Sequence, residues 1–221
     1  MNIYQIISQT STVLFEDKAE SYQTFVEQAV TQNINLDHAD FRFRNMTGFT
    51  LDGAQMHHAD FTGCNLDGAN LSESDLSYAD FTDCTLYNAC LAHSNLRAGN
   101  FMRAFFGATD ITGGDLSDAS FSSLSCFSLN FATAGSTQGA HFRSADGRVS
   151  QMTDTPIIIH GLDPQPLIFI DKDMYLGHRS LRKNRAAEIL KHIANDCVAR
   201  KEANNENRNI ENFLDILSTT D

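Results

Sequence analysis

Large apolar residues return at every fifth position from Leu36 to Phe131 without an insertion, and only Cys126 in that series is not large. Two residues before most of them sits a small residue, as at Ala39, Ala59, Ala69, Ala79, Ala89 and Ala119. A period of five fits neither the 3.6 of a helix nor the 2 of a simple strand. Self-similarity at a fixed short period marks a solenoid, in which no unit can bury its apolar face alone and each stacks on the next. Within each unit the small and large residues alternate like a short strand. Both are therefore expected to face inward, with the residue between them and the two that follow facing solvent. The pattern breaks at its ends: Arg44 and Phe49 take small positions early, Leu124 and Leu129 do so late, and the phase slips by one at Ala140 and Phe142.

Phe41, Phe61, Phe81, Phe101 and Phe121 recur at twenty residues and are predicted to stack on one face as the structural core. The runs ADFTG (59–63), CNLDG (64–68), ANLSE (69–73), SDLSY (74–78) and ADFTD (79–83) closely match A-[DN]-[LF]-x-x, and the chain resembles the pentapeptide repeat family over roughly residues 34 to 135. That resemblance implies an all-β repeat fold, a right-handed quadrilateral β-solenoid with four pentapeptides per coil. At ordinary strand spacing, five such coils would rise about 24 Å.

An open solenoid end exposes a sheet edge and its apolar rungs, so covers are expected at both ends. Residues 1–33 are assigned to an N-terminal helical cap. Tyr22, Phe25, Val26, Ala29 and Val30 stripe an amphipathic helix over 17–32 with Ser21 as its cap, and Ile3, Ile6 and Ile7 add a short apolar stripe. The solenoid is placed at 34–148. Residues 149–221 are read as a C-terminal β/helical segment: strands at PIIIHG, PLIFID and MYLG, then two helices. GLDPQPLIFIDKDMYLGHRSL resembles a tail that follows pentapeptide repeats in some bacterial and phage proteins. Ile189, Ile193, Phe213 and Leu217 are candidates for homodimerisation, because two apolar helix faces exceed what one cap needs.

The formal net charge of the 221 residues is −12. Between positions 36 and 131, twelve acidic residues face only Arg42, Arg44, Arg97 and Arg103. Such a surface repels nucleic acid and anionic membrane and attracts a basic groove. No segment reaches the roughly 18 apolar residues of a membrane span, so a cytoplasmic protein is expected. Cys64, Cys84 and Cys126 fall on inward phases, where a thiol packs as a small residue. Cys64 and Cys84 lie one coil apart, within reach of a disulfide, but five cysteines and a reducing compartment argue against one.

Catalytic signatures are sparse. His38, His57 and His58 would share one surface and permit a metal site, although outward positions accept almost any polar residue. Asp40, Asp60 and Asp80 stack on one face, where like charges would raise one another's pKa, and are better read as a solvated ladder than as acid/base machinery. DKDMYLG (171–177) lacks the full calcium-loop pattern. The chain reads as no enzyme, with no cofactor and no metal.

Two functions remain. In the first, the acidic faces bearing Asp40, Asp60 and Asp80, with Asp75 and Asp115 adjacent, bind a DNA-handling enzyme, a topoisomerase or a nuclease, by standing in for DNA phosphates. The resemblance to a family that includes gyrase-interacting members implies the same. In the second, the chain is a scaffold or adaptor that binds through its C-terminal segment, with outward Phe43, Tyr78, Tyr87, Met102, Phe105 and Phe127 either forming a docking patch or packed beneath the terminal helices.

Overall fold

The computed structural model describes residues 1–159 and 166–181, with residues 185, 188, 189 and 191 beyond them. The chain divides into two compact units, Met1–Ser180 and Leu181–Asp221, and the elements below belong to the first.

The N-terminus differs from its predicted form. β1 (Asn2–Ile7) and β2 (Val13–Ala19) make an antiparallel hairpin. The apolar residues at 3, 6 and 7 suggest a helical stripe, but the positions that matter alternate. Ile6 pairs with Phe15, Tyr4 with Asp17 and Asn2 with Ala19, and Ile6 and Ala19 are buried on that face while Ile3 is exposed. The Ser8 hydroxyl accepts from the backbone N–H of Thr10 and Thr12, which closes the turn. The helix α1 (Tyr22–Thr31) therefore starts later than position 17, where Ser21 caps it by accepting from Thr24 N at 3.1 Å. Asn33, at φ 53°, terminates it in the left-handed region that short amides tolerate. Phe25, Val26 and Ala29 are buried in the same core as the first coil, and Glu27 accepts from Thr50 N at 2.9 Å.

From residue 36 the chain coils with a period of twenty. Parallel bridges run in four columns: Asp40–Asp60–Asp80–Asn100, Asn45–Asn65–Thr85, Thr50–Asn70–Cys90–Asp110 and Gln55–Asp75–Asn95–Asp115. Where the bridges lengthen they form short strands. β3 (Thr85–Tyr87) will pair with the later β5, and β4 (Asn100–Phe101) with β6; β5 spans Phe105–Gly107 and β6 spans Ser120–Phe121. The backbone joins successive coils on both sides of each column, as where Phe61 N donates to Asp80 O at 2.8 Å and Asp60 N to Ala39 O at 2.9 Å.

All twenty residues of the predicted large phase, Leu36 to Phe131, are at most 5% exposed. The Phe column stacks as expected: Phe41, Phe61, Phe81, Phe101 and Phe121 follow one another at centroid distances of 5.2, 5.2, 4.8 and 5.2 Å. At the small positions the pattern is more specific than size alone. The side chains of Cys64, Ser74, Cys84, Ser94 and Thr109 each donate to a carbonyl 23 residues earlier, at 2.6 to 2.9 Å. Cys64 and Cys84 are free thiols. Burial pushes the Cys64 thiol up to about 12 and raises that of Cys84 as well.

The phase slip also takes structural form. Two 3-10 turns, Leu124–Ser128 and Phe131–Thr133, occupy the late departures. β7 (His141–Arg143) then pairs with β6 at a spacing of 21 residues, Ser120 with His141 and Phe121 with Phe142. β8 (Val149–Gln151) folds back antiparallel on β7. A second sheet follows, built from β9 (Ile157–Ile159), β10 (Leu167–Ile170), β11 (Asp173–Leu176) and β12 (Arg179–Ser180) in the order β12-β11-β10-β9. DKDMYLG supplies the tight turn after β10, at Asp171 (φ 50°) and Lys172, and then β11 itself. Among the described residues no helix is long and apolar enough to cross a membrane. Of the dimerisation candidates, Ile189 is helical and half-buried; Ile193, Phe213 and Leu217 lie outside the described residues.

Candidate interaction surface

Where the outward position of a pentapeptide is Asp or Asn, its side chain holds the corner. Asp60 Oδ1 accepts from Thr62 N at 2.9 Å, Asp75 from Ser77 N at 3.1 Å, Asp80 from Thr82 N at 2.8 Å, Asp115 from Ser117 N at 2.9 Å and Asp40 from Arg42 N at 3.1 Å. Asn65, Asn70 and Asn100 make the same bond. This is an Asx turn, in which a short side-chain acceptor replaces a backbone carbonyl and sets the corner. Every acidic residue assigned to the partner face thus has a structural duty on one oxygen, which the sequence reading did not anticipate. The second oxygen is not free throughout, since Arg42 takes that of Asp40 and Asn100 donates to that of Asp80.

The structure brings Asp40, Asp60 and Asp80 into consecutive bridges of one column. Asp75 and Asp115 share another column but lie two coils apart, with Asn95 between them. Neither column is a bare ladder. Arg42 reaches Asp40 at 2.6 Å and Asp60 at 3.6 Å, and these two side chains are only 18% and 20% exposed. Asn100 donates to Asp80 at 3.3 Å and Asn95 to Asp75 at 3.1 Å. The expectation that like charges raise these pKa values fails at Asp40, whose carboxyl is lowered by its hydrogen bonds to Arg42. Asp83 is likewise lowered by the side chain of Arg103, at 2.7 Å.

A depressed carboxylate adds stability above its ordinary range and loses it as pH falls through the lowered value. Arg42→Gln should therefore bring acid unfolding to a higher pH than in the parent, with a small effect at neutral pH because the pair is solvent-screened. Acid titration followed by circular dichroism measures this, and coincident midpoints would show that the pair contributes nothing.

The outward apolar residues do not make one patch. Phe43, Tyr78, Tyr87 and Phe105 are exposed, but Phe43 and Tyr78 project from different corners and Tyr87 from a third. Phe127 is buried against Phe142 at 5.0 Å, and Met102 is half-buried. His38 and His58 stack face to face at 5.0 Å, so they present ring faces to each other instead of converging nitrogens.

The sequence of residues 54–131 matches the model of the pentapeptide repeat region, and that of 34–72 the model of pentapeptide repeats. Residues 34–131 are pentapeptide repeats. Solved structures resemble the repeat protein locally. A pentapeptide repeat protein of the Arabidopsis thaliana thylakoid lumen is 28% identical over 38% of this chain and 66% of its own, with a TM-score of 0.23. One from Nostoc PCC 7120 is 24% identical over 55% of this chain and 95% of its own, at 0.37. The plasmid-mediated fluoroquinolone resistance protein QnrB1 is 16% identical over 50% of this chain and 65% of its own, at 0.21. No curated protein is a match for this chain.

Proposed function

We propose that this pentapeptide repeat protein is a non-enzymatic interaction protein that inhibits or modulates a DNA-handling enzyme of topoisomerase or nuclease type by presenting carboxylates to its basic groove. The observation carrying this reading is the combination of Asx turns with bridge columns. Each carboxylate of Asp60, Asp75 and Asp80 is fixed to its own corner by one oxygen, and successive corners are fixed to each other by backbone hydrogen bonds. Charge held in place loses less entropy on binding than charge on long free side chains. Self-association through residues 181–221 belongs to the same proposal, supported by the apolar spacing of Ile210, Phe213, Leu214 and Leu217.

Changing Asp60, Asp75 and Asp80 together to Asn tests it. Asparagine keeps the oxygen that accepts from Thr62, Ser77 and Thr82, so the corners should hold while three charges go. The variant should bind the DNA-handling partner more weakly and with a flatter salt dependence, and duplex DNA should displace the parent. Undiminished binding by the variant, or a complex that DNA does not compete away, would move the interaction to the C-terminal segment.

A further inference from the structure

We propose that the corner formed by His38, His58 and Tyr78 receives an arginine side chain of a basic protein partner, an inference that rests on the acidic-surface reading above and names the group it recognises. This corner lies where the two candidate acidic faces meet, since within one pentapeptide Asp75 precedes Tyr78 and Asp80 follows it on the next face.

The three residues occupy the same corner position on successive coils, at φ 60°, 58° and 59°, where other corners use Gly48, Gly53, Gly63 and Gly68. Bulky residues in the left-handed region are disfavoured, yet here the coil repeat piles their rings into a ladder. His38 and His58 stack at 5.0 Å and 8°, and His58 and Tyr78 at 4.9 Å and 28°. His57 braces the ladder edge-on, 4.2 Å from His58 and 5.4 Å from Tyr78. Its Nδ1 lies 2.6 Å from Ser77 Oγ, and its backbone N–H donates to Asp37 at 2.9 Å.

The ladder ends at Tyr78 because the next coil places Ala98 at that corner. Tyr78 is half exposed, and one coil repeat, about 4.8 Å, separates its outer face from the next rung. That is the room one further planar group needs. A guanidinium is planar, weakly hydrated and stacks on aromatic faces, whereas an ammonium is a compact, strongly hydrated point charge. Asp75 and Asp80 lie one coil back, at the level of Tyr78 itself, and beside the place their columns hold Asn95 and Asn100, whose amides donate to those carboxylates. The neighbouring Arg97 is already engaged with Asp118 at 3.1 Å.

His58 makes the corner sensitive to acid. Burial, then the charges of His57 and His38, hold His58 below its ordinary value, and Asp37 opposes them. The groups facing the ladder are Asp37, Ser77 and Arg97 from neighbouring coils and, from the N-terminal hairpin, Gln9, whose amide donates to His58 O at 2.7 Å. A lowered His58 favours the neutral imidazole behind Tyr78, and strong enough acid places positive charge there, where it repels a guanidinium.

Fluorescence anisotropy with labelled nona-arginine and nona-lysine peptides tests the proposal on the full chain. At about pH 8 the parent should bind the arginine peptide roughly two- to fivefold more tightly than the lysine peptide, and the preference should shrink at about pH 5.5. A variant carrying His38→Asn, His58→Asn and Tyr78→Asn keeps residues that tolerate this backbone. It should bind both peptides alike while retaining salt-sensitive binding, and Tyr78→Asn alone should lose most of the preference. Equal affinity of the parent for the two peptides, or a preference that survives in both variants, overturns the corner and leaves the acidic-surface reading standing. Failure of the parent to bind either peptide overturns both.

Discussion

Phe81→Ala should lower the stability of the solenoid by about 3–5 kcal/mol. The ring is fully buried and lies between two others, 5.2 Å from Phe61 at 4° and 4.8 Å from Phe101 at 2°. Alanine leaves a cavity that cannot collapse. The coils above and below are pinned at strand spacing by backbone bonds such as Phe61 N to Asp80 O and Phe81 N to Asn100 O, both 2.8 Å. A repeat stack also depends on nearest-neighbour contacts, so a gap at the middle rung weakens the coupling of the two halves. Denaturant unfolding should show a lower midpoint for Phe81→Ala than for Gln55→Ala, an exposed change expected to cost under about 0.5 kcal/mol. Equal midpoints would mean that the Phe column does not carry the core.

The opposite error should be nearly as costly. Ala79→Leu is expected to destabilise by about 1–3 kcal/mol, because overpacking forces off-rotamer side chains and backbone shifts. Ala79 belongs to a column of Ala39, Ala59, Gly99 and Ala119, and all the alanines in it are fully buried. At Gly99 even a Cβ would lie 3.0 Å from the Phe101 ring, so a leucine one coil away has no space beside the stacked rings. Ala79→Ser is the informative control. Ser74 and Ser94 occupy equivalent positions and donate to carbonyls 23 residues back, so serine should be nearly neutral. Comparable midpoints for the leucine and serine variants would show that hydrogen bonding, not volume, governs the small column.

The role of the outward Asp positions was legible in the sequence, though in a form the charge reading passed over. The position holds Asp60, Asn65, Asn70, Asp75 and Asp80 in succession. Interchange of a charged and a neutral residue with the same Oδ1 marks an acceptor requirement, and charge is an additional property of some rungs. Arg44 shows the converse. It takes a small inward position, but it remains exposed and stacks on Tyr22 at 4.9 Å, a contact that depends on where α1 lies against the first coil.

The sequence alone determined the periodic core, because in a solenoid each contact recurs at a fixed sequence offset. Every large residue meets its counterparts twenty residues away, so one spacing encodes burial, coil length and the Phe stack together. Tertiary structure decided what has no such offset. The N-terminal hairpin depends on Ile6 meeting Phe15 and Ser8 meeting Ala39, pairings that a short apolar run cannot distinguish from a helical stripe. The His38–His58–Tyr78 ladder needed both. Its spacing was visible, but its face-to-face geometry and its place between two acidic columns depend on left-handed corners that turn three rings the same way, and only the folded coil fixes that direction.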